Sequence, residues 1–81
     1  MQNNIAALRA EEVQIPDAFG SNTIADLRLD RRQLILLAVR ARDEWKFNPA
    51  DDFDIGPGNT LVVMTTPEGR RSLEKSLREA A

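Results

Sequence analysis

The stretch DIGPGNTLVVMTTPEG, from Asp54 to Gly69, gathers three of the chain's four glycines and two of its four prolines around one apolar run. Loops that cradle a phosphate follow a strand and open a helix, so that backbone amides and the helix dipole converge on the anion. Here the glycines precede the apolar run, and the loop after it, TTPEG, has one glycine and no lysine. The glycines are therefore turn chemistry. In Gly56-Pro57-Gly58-Asn59, proline sets φ at the second position and glycine supplies positive φ at the third, as a type II turn requires. Leu61–Met64 then reads as a strand covered on both faces. Thr66-Pro67-Glu68 opens a helix with a hydroxyl cap, a proline in the first helical position and an acid in the first turn. Leu73 and Leu77 lie one turn apart on that helix, and Glu74/Arg78 and Lys75/Glu79 are i,i+4 pairs on its wet side.

Working back from this stretch, LILLAV (Leu34–Val39) shows no alternation, which predicts a central strand with both faces covered. RARDE turns the chain, with Asp43 the residue best suited to a left-handed conformation, and WKFN (Trp45–Asn48) alternates as the returning strand of a hairpin before Pro49 ends it. Upstream, EEVQI alternates as a half-buried strand stopped by Pro16, and PDAFGS is a loop. NTIADLRL predicts a short helix capped by Asn22 or Thr23, with Asp26 near its start and Ile24, Leu27 and Leu29 turned inward. Residues 1–10 read as a linker or frayed lead-in, with Ile5–Ala10 short enough to be helix or linker, and residues 11–81 as the domain. The predicted fold is α+β: a small mixed or antiparallel sheet of about four strands with two short helices, in the order β-α-β-β-β-α.

Composition narrows the function. The 81 residues make one small domain with a thin core. Cysteine, histidine and tyrosine are absent, which removes disulfides, thiolate sites, the commonest metal ligand and the usual base of Ser and Cys hydrolases. Eleven Lys+Arg against thirteen Asp+Glu leave a charge of −2 with mixed signs, unlike the basic face of a nucleic-acid binder. No apolar run approaches the roughly 20 residues of a membrane span.

Three constellations have both a functional reading and a plainer structural one. Asp51, Asp52 and Asp54 resemble half a calcium loop, but the twelfth position falls on Val62 or Val63, so the EF-hand reading fails and a solvated acidic loop is favoured over a looser divalent site. The pairs Glu11/Glu12 and Asp43/Glu44 sit beside chain breaks rather than in an apolar pocket that would raise a carboxyl pKa. Trp45 and Phe47 share a strand face, where packing in a core or interface is favoured over stacking on a base. Two short helices cannot cover both faces of such a sheet, which points to a partner subunit and a homodimer. No catalytic residue, metal ligand set or cofactor is expected. An enzyme working through Asp51, Asp52 or Asp54 stays as a rival with no nameable reaction.

Taken in order, a strand ending in IP, the helix NTIADL, the apolar strand ending in AVR, the hairpin into EWKFNP, the strand GNTLVV and the closing TPEG helix resemble the carboxy-terminal subdomain of the RCK (regulator of conductance of potassium) family, the TrkA-C domain, over about Glu11 to Leu77. The resemblance implies a small dimerising α+β domain without catalysis of its own. In the family it follows a Rossmann-type RCK amino-terminal subdomain on the cytoplasmic side of bacterial potassium channels, Trk/Ktr-type transporters and some antiporters, and passes the binding of a small ligand to the membrane pore. In some members that ligand is cyclic di-AMP, held at the dimer interface. Carried over, the pocket positions are about Arg32, Leu34, Ile35, Leu36, Asn48 and Pro49. The resemblance also makes the 81 residues an excised piece, with LEKSLREAA as a natural carboxy terminus. The alternative reading is a cyclic-dinucleotide or nucleotide receptor module of a non-channel transporter or a transcription regulator.

Overall fold

A computed structural model describes residues 8–20 and 22–79. The chain runs through β1 (Arg9–Gln14), β2 (Asn22–Thr23), β3 (Leu34–Ala41), β4 (Glu44–Phe47), β5 (Asp54–Ile55), β6 (Thr60–Thr65) and α1 (Pro67–Glu79). Four strands form an antiparallel sheet in the order β1-β6-β3-β4, and β2 and β5 form a separate two-stranded ribbon. This is the expected α+β architecture. The ribbon was not foreseen, because two-residue strands carry no periodicity. Of the expected lead-in, Ile5 to Ala7 lie outside the described residues, while Arg9 and Ala10 belong to β1.

The turns follow the sequence closely, with one exception. Gly58 takes φ +87°, and the Asn59 amide donates to the Gly56 carbonyl at 3.1 Å, closing the predicted turn before β6. At the β3–β4 hairpin the left-handed residue is Arg42 (φ 58°) rather than Asp43. The two-residue loop between Ala41 and Glu44 puts positive φ at its first position, the sign pattern of a type II′ turn, which suits the twist of the flanking strands. The expected helix at NTIADL is a 3-10 turn, Ile24–Leu27, entered from β2. The Thr23 amide and hydroxyl both donate to Asp26 Oδ2, at 2.9 and 3.0 Å, and Arg28 closes the turn in left-handed conformation. The Phe53 and Asp51 carbonyls take up the otherwise free Ile24 and Ala25 amides at the start of the turn, and it ends at Arg28, whose amide donates to the Ala25 carbonyl at 3.2 Å.

One face of the sheet carries the core. Val13, Leu34, Leu36, Val39, Leu61 and Val63 turn inward to meet Leu73 and Leu77 of α1, together with Ile15, Phe19, Ile24, Leu27 and Ile55 from the connections. From Leu61 onward burial along β6 alternates, with Leu61, Val63 and Thr65 fully buried and Val62 and Met64 turned to the opposite face and only half-buried, so the expectation that Leu61–Met64 is covered on both faces does not hold. The expectation that Leu34–Val39 is covered on both faces does not hold within one chain: Ile35 is 58% exposed and Leu37 38%. A single helix of 13 residues can cover only one side.

The helix starts as the sequence predicts, with the Gly69 amide donating to Thr66 Oγ1 at 3.0 Å and Pro67 in the first helical position. Its ion pairs differ in part. Lys75 pairs with Glu79 at 4.0 Å, but Glu74 pairs with Arg70 at 3.3 Å, because Arg70 also holds Glu11 of β1 and so ties the helix to the edge of the sheet. The hydrogen bond that Arg70 donates to Glu11, and then the one it donates to Glu74, hold the Arg70 pKa above its ordinary value against the opposing effect of burial. Gly69 is where helix and sheet meet most closely. A Cβ there would lie 2.7 Å from the Gln33 carbonyl oxygen and would collide with the Thr65 hydroxyl, which itself donates to that carbonyl at 3.2 Å.

Gly69→Ala is therefore expected to lower the unfolding free energy by about 1–3 kcal/mol, because overpacking against fixed backbone outweighs the roughly 1 kcal/mol that alanine gains in a helix. A denaturant titration with an unchanged or higher midpoint would contradict this packing. The Asp26 pKa is lowered, first by the Thr23 amide and then by the Thr23 hydroxyl. Its folded-state pKa lies below the unfolded one, so its contribution is complete above the ordinary carboxylate range and is lost as the pH falls through the lowered value. Stability measured below about pH 4 should therefore fall less steeply in Asp26→Asn than in the parent chain.

Candidate ligand and association surface

The face of the sheet opposite α1 is apolar and open. Period-two alternation places Ile35, Met64, Val62, Ala38 and Phe47 on it, with Trp45 beside them on β4. Trp45 is 47% exposed and Phe47 71%, and their rings stack 5.9 Å apart at an interplanar angle of 9°. The two aromatics do share one strand face, and that face is not the core of the single chain. Across it, Arg40 links three strands: its guanidinium carbon lies 5.4 Å from the Trp45 ring centroid and its Nη2 donates to Glu12 Oε1 at 3.3 Å. This bridge was missed because the residues are 28 positions apart and only the β1-β6-β3 register brings them together.

The face has a notch. β3 runs for eight residues but β4 for only four, so beyond Phe47, opposite Ala38, the edge of β3 has no strand beside it. The pairing register slips between Leu36 and Ala38, leaving Leu37 as the extra residue of a β-bulge, and the Asn48 amide donates to the Leu37 carbonyl at 2.9 Å. Asn48 adopts φ 48°, which its short polar side chain tolerates, and this bends the chain away toward Pro49.

The carried-over positions gather around this notch, each offering something different. The Thr66 amide bonds the Gln33 carbonyl, so Gln33 and Ile35 direct their backbone groups toward β6 and those of Leu34 and Leu36 point the other way, into the notch. The Leu34 and Leu36 side chains are buried in the core, 4% and 5% exposed. Ile35 instead places its side chain on the open face. Asn48 is exposed and Pro49 buried at the notch's far wall. Arg32 lies just before β3 with its side chain 90% exposed, and its Nε donates to Asp30 Oδ1 at 3.2 Å. That bond and one from the Arg32 amide hold the Asp30 pKa below its ordinary value. The Leu34 amide is taken by the Asp30 carbonyl at 3.2 Å, so the arrangement supplies an apolar floor, the Leu34 carbonyl and the Leu36 backbone, an amide side chain and a cation.

Asp51 is engaged elsewhere, by Arg31 at 3.0 Å, and among the described residues no group of three acidic side chains is disposed to hold a metal ion. Among the described residues no helix is long and apolar enough to cross a membrane. Because Phe47 contributes nothing to the buried core of one chain, Phe47→Ser should change the unfolding free energy of the dilute, unassociated chain by less than about 0.5 kcal/mol, whereas Leu61→Ala should cost about 2–5 kcal/mol. Comparable losses from both, in the same denaturant titration, would show that the open face is not open.

No curated protein matches the chain. Among solved structures it is similar to the KtrA regulator of conductance of K+ (RCK) C domain in complex with cyclic diadenosine monophosphate, with TM-score 0.73 and 15% identity over 86% of this chain and 84% of that one. It is similar also to the GsuK channel bound to NAD, with TM-score 0.71 and 20% identity over 91% of this chain, and to the GsuK RCK domain, with TM-score 0.67 and 21% identity over 90%. The chain spans 14% of that GsuK channel chain and 17% of the GsuK RCK chain. At these identities the likeness is one of fold. The model of the TrkA-C domain matches residues 8–78, nearly all of the sequence. The chain belongs to the TrkA-C domain family.

Proposed function

We infer that this domain is a non-catalytic, ligand-sensing and self-associating module that regulates a potassium channel or cation transporter from the cytoplasmic side of a bacterial membrane. The observation that carries the inference is the family match over residues 8–78 on a chain whose sheet keeps one apolar face uncovered. Exposing Ile35, Leu37, Trp45 and Phe47 together is costly for a monomer this small and is relieved when a second copy covers them. In the parent protein an upstream Rossmann-type RCK subdomain would precede residues 11–81, with 1–10 as the lead-in, and would connect the sensor to the pore.

The proposed ligand seat is the notch at the β3 edge. Leu34 and Leu36 would offer backbone groups, Ile35 its side chain, Asn48 its amide, Pro49 a wall and Arg32 a charge that suits a phosphate. A small anion with planar bases, such as cyclic di-AMP, fits that set, and the KtrA domain of the same fold is known in complex with it. Regulation then requires only that the ligand bind one assembly state better than another, since the differential affinity is what shifts the equilibrium. The rival reading, a nucleotide receptor on a non-channel transporter or a transcription regulator, uses the same seat and differs in the chain attached upstream.

Calorimetric titration of the 81-residue chain with cyclic di-AMP, ATP, ADP, NAD, calcium, sodium and potassium distinguishes these ligands. Binding of a phosphate-bearing ligand is expected, weakened at least tenfold by Asn48→Ala and by Arg32→Gln, neither of which touches the core. Failure of every ligand to bind a properly folded, associated sample would sink the sensor reading.

A further inference from the structure

Helix α1 shields its own face of the sheet unevenly. Gly69 seats it on β6 and Arg70 ties it to Glu11 of β1, so at the far end of that face β4 looks only onto the loop that leads from Asn48 to β5. Register sets Lys46 opposite Val39 and Glu44 opposite Ala41, and Val39 belongs to the core, so both charged side chains stand on the helix side. Between them and Phe53 lies a cavity of about 400 Å3 whose apolar lining is Val39, Ala41 and Phe53. Small-molecule sites ordinarily measure about 300–1,000 Å3. The loop wall is preformed. The Phe53 amide donates to the Ala50 carbonyl at 3.0 Å, the Phe53 carbonyl accepts from the Ile24 amide at 3.0 Å, and the Asp51 carbonyl accepts from the Ala25 amide at 2.9 Å. Glu44 and Lys46 are exposed at the rim, and neither has an ion-pair partner among the described residues.

We propose that this cavity binds a free α-amino acid with an apolar side chain. Glu44 and Lys46 lie two residues apart on one strand face, with about 6.7 Å between their Cα atoms, and an ammonium and a carboxylate borne on one carbon can meet both at once. The ammonium donates to Glu44 and the carboxylate accepts from Lys46, each through a charge-assisted hydrogen bond. The side chain lies against Val39, Ala41 and Phe53, and its removal from water supplies most of the affinity. A simple amine or a simple carboxylate engages one charge and leaves the other without a partner. A charged side chain would be set against apolar wall with nothing to pair it. Both rim charges are exposed, so each polar contact is weak, and the dissociation constant expected is on the order of 1 mM. The cavity shares no residue with the notch and opens on the face away from Ile35, Met64 and Phe47. It is therefore a second site, and it stays accessible when the open face is covered.

Amide NMR spectra of the 81-residue chain titrated with L-leucine test the assignment. Saturable shifts are expected at Glu44, Lys46 and Phe53. Glycine, which lacks the side chain, should bind at least tenfold more weakly, and isopentylamine and isocaproate, which each lack one charge, roughly threefold more weakly. Glu44→Gln and Lys46→Gln should each weaken leucine by roughly threefold. Ala41→Leu fills the cavity from a half-buried position and should abolish binding while the rest of the spectrum stays that of the parent chain. Absence of saturable shifts up to about 50 mM leucine, glycine binding as tightly as leucine, or leucine binding that persists in Ala41→Leu would each overturn the proposal. A phosphate-bearing ligand in the notch is read separately, at the Asn48 amide.

Discussion

Everything in this molecule depends on an imbalance of cover. An antiparallel sheet of four strands has two faces, and the described residues supply one α-helix of 13 residues to shield them. Gly69 lets that helix lie close on β6, Arg70 ties it to Glu11, and Leu73 and Leu77 close the core beneath it. The connections through Phe19, Ile24, Leu27 and Ile55 all fold to the same side. Among the described residues nothing is left for the opposite face, where Val62 and Met64 are partly buried, Trp45 is half-exposed and Phe47 is mostly exposed. At about 25 cal/mol per Å2, apolar area of this kind is a standing driving force for association.

The second constraint is the length of β4. Four residues pair with the far half of β3 and then the chain leaves at Asn48 in a left-handed conformation. A longer β4 would have paired with the Leu34 carbonyl and the Leu36 backbone and erased the notch. The bulge at Leu37 and the bend at Asn48 are held by one hydrogen bond, so the shape of the proposed seat and the direction of β4 have a common origin. The two proposed roles, sensing and association, would then be physically coupled, because a ligand in the notch would touch the residues that position β4 and its two aromatic rings.

How far these features could be read from the sequence depended on how local their causes are. Gly56-Pro57-Gly58-Asn59 and Thr66-Pro67-Glu68 declare their turn and cap through backbone rules that involve only neighbouring residues, and both appear as read. The central strands were evident at Leu34 and Leu61, but their burial was not: an unbroken apolar run looks the same whether its second face meets a helix or awaits another chain. Arg42 took the left-handed position from Asp43 because hairpin twist, which emerges only with strand pairing, outranked side-chain preference. The Leu37 bulge, the Arg40–Glu12–Trp45 bridge and the β2–β5 ribbon had no sequence signal, since each is a consequence of register. Gly69 did carry one: a glycine inside a strong helix pattern costs about 1 kcal/mol relative to alanine and usually marks a close approach. Of the positions carried over by resemblance, Leu34 and Leu36 reach the notch through backbone alone, a distinction that side-chain patterns cannot express.

Trp45 is the chain's one tryptophan and sits on the uncovered face, so its accessibility to a neutral quencher reads the central claim directly. Acrylamide quenching measured across protein concentrations from nanomolar to submillimolar should fall from that of a half-exposed indole to that of a shielded one, along a curve with a single midpoint. Quenching that stays high and flat across the whole range would contradict the account, because the open face would then be a surface that the chain simply tolerates in water.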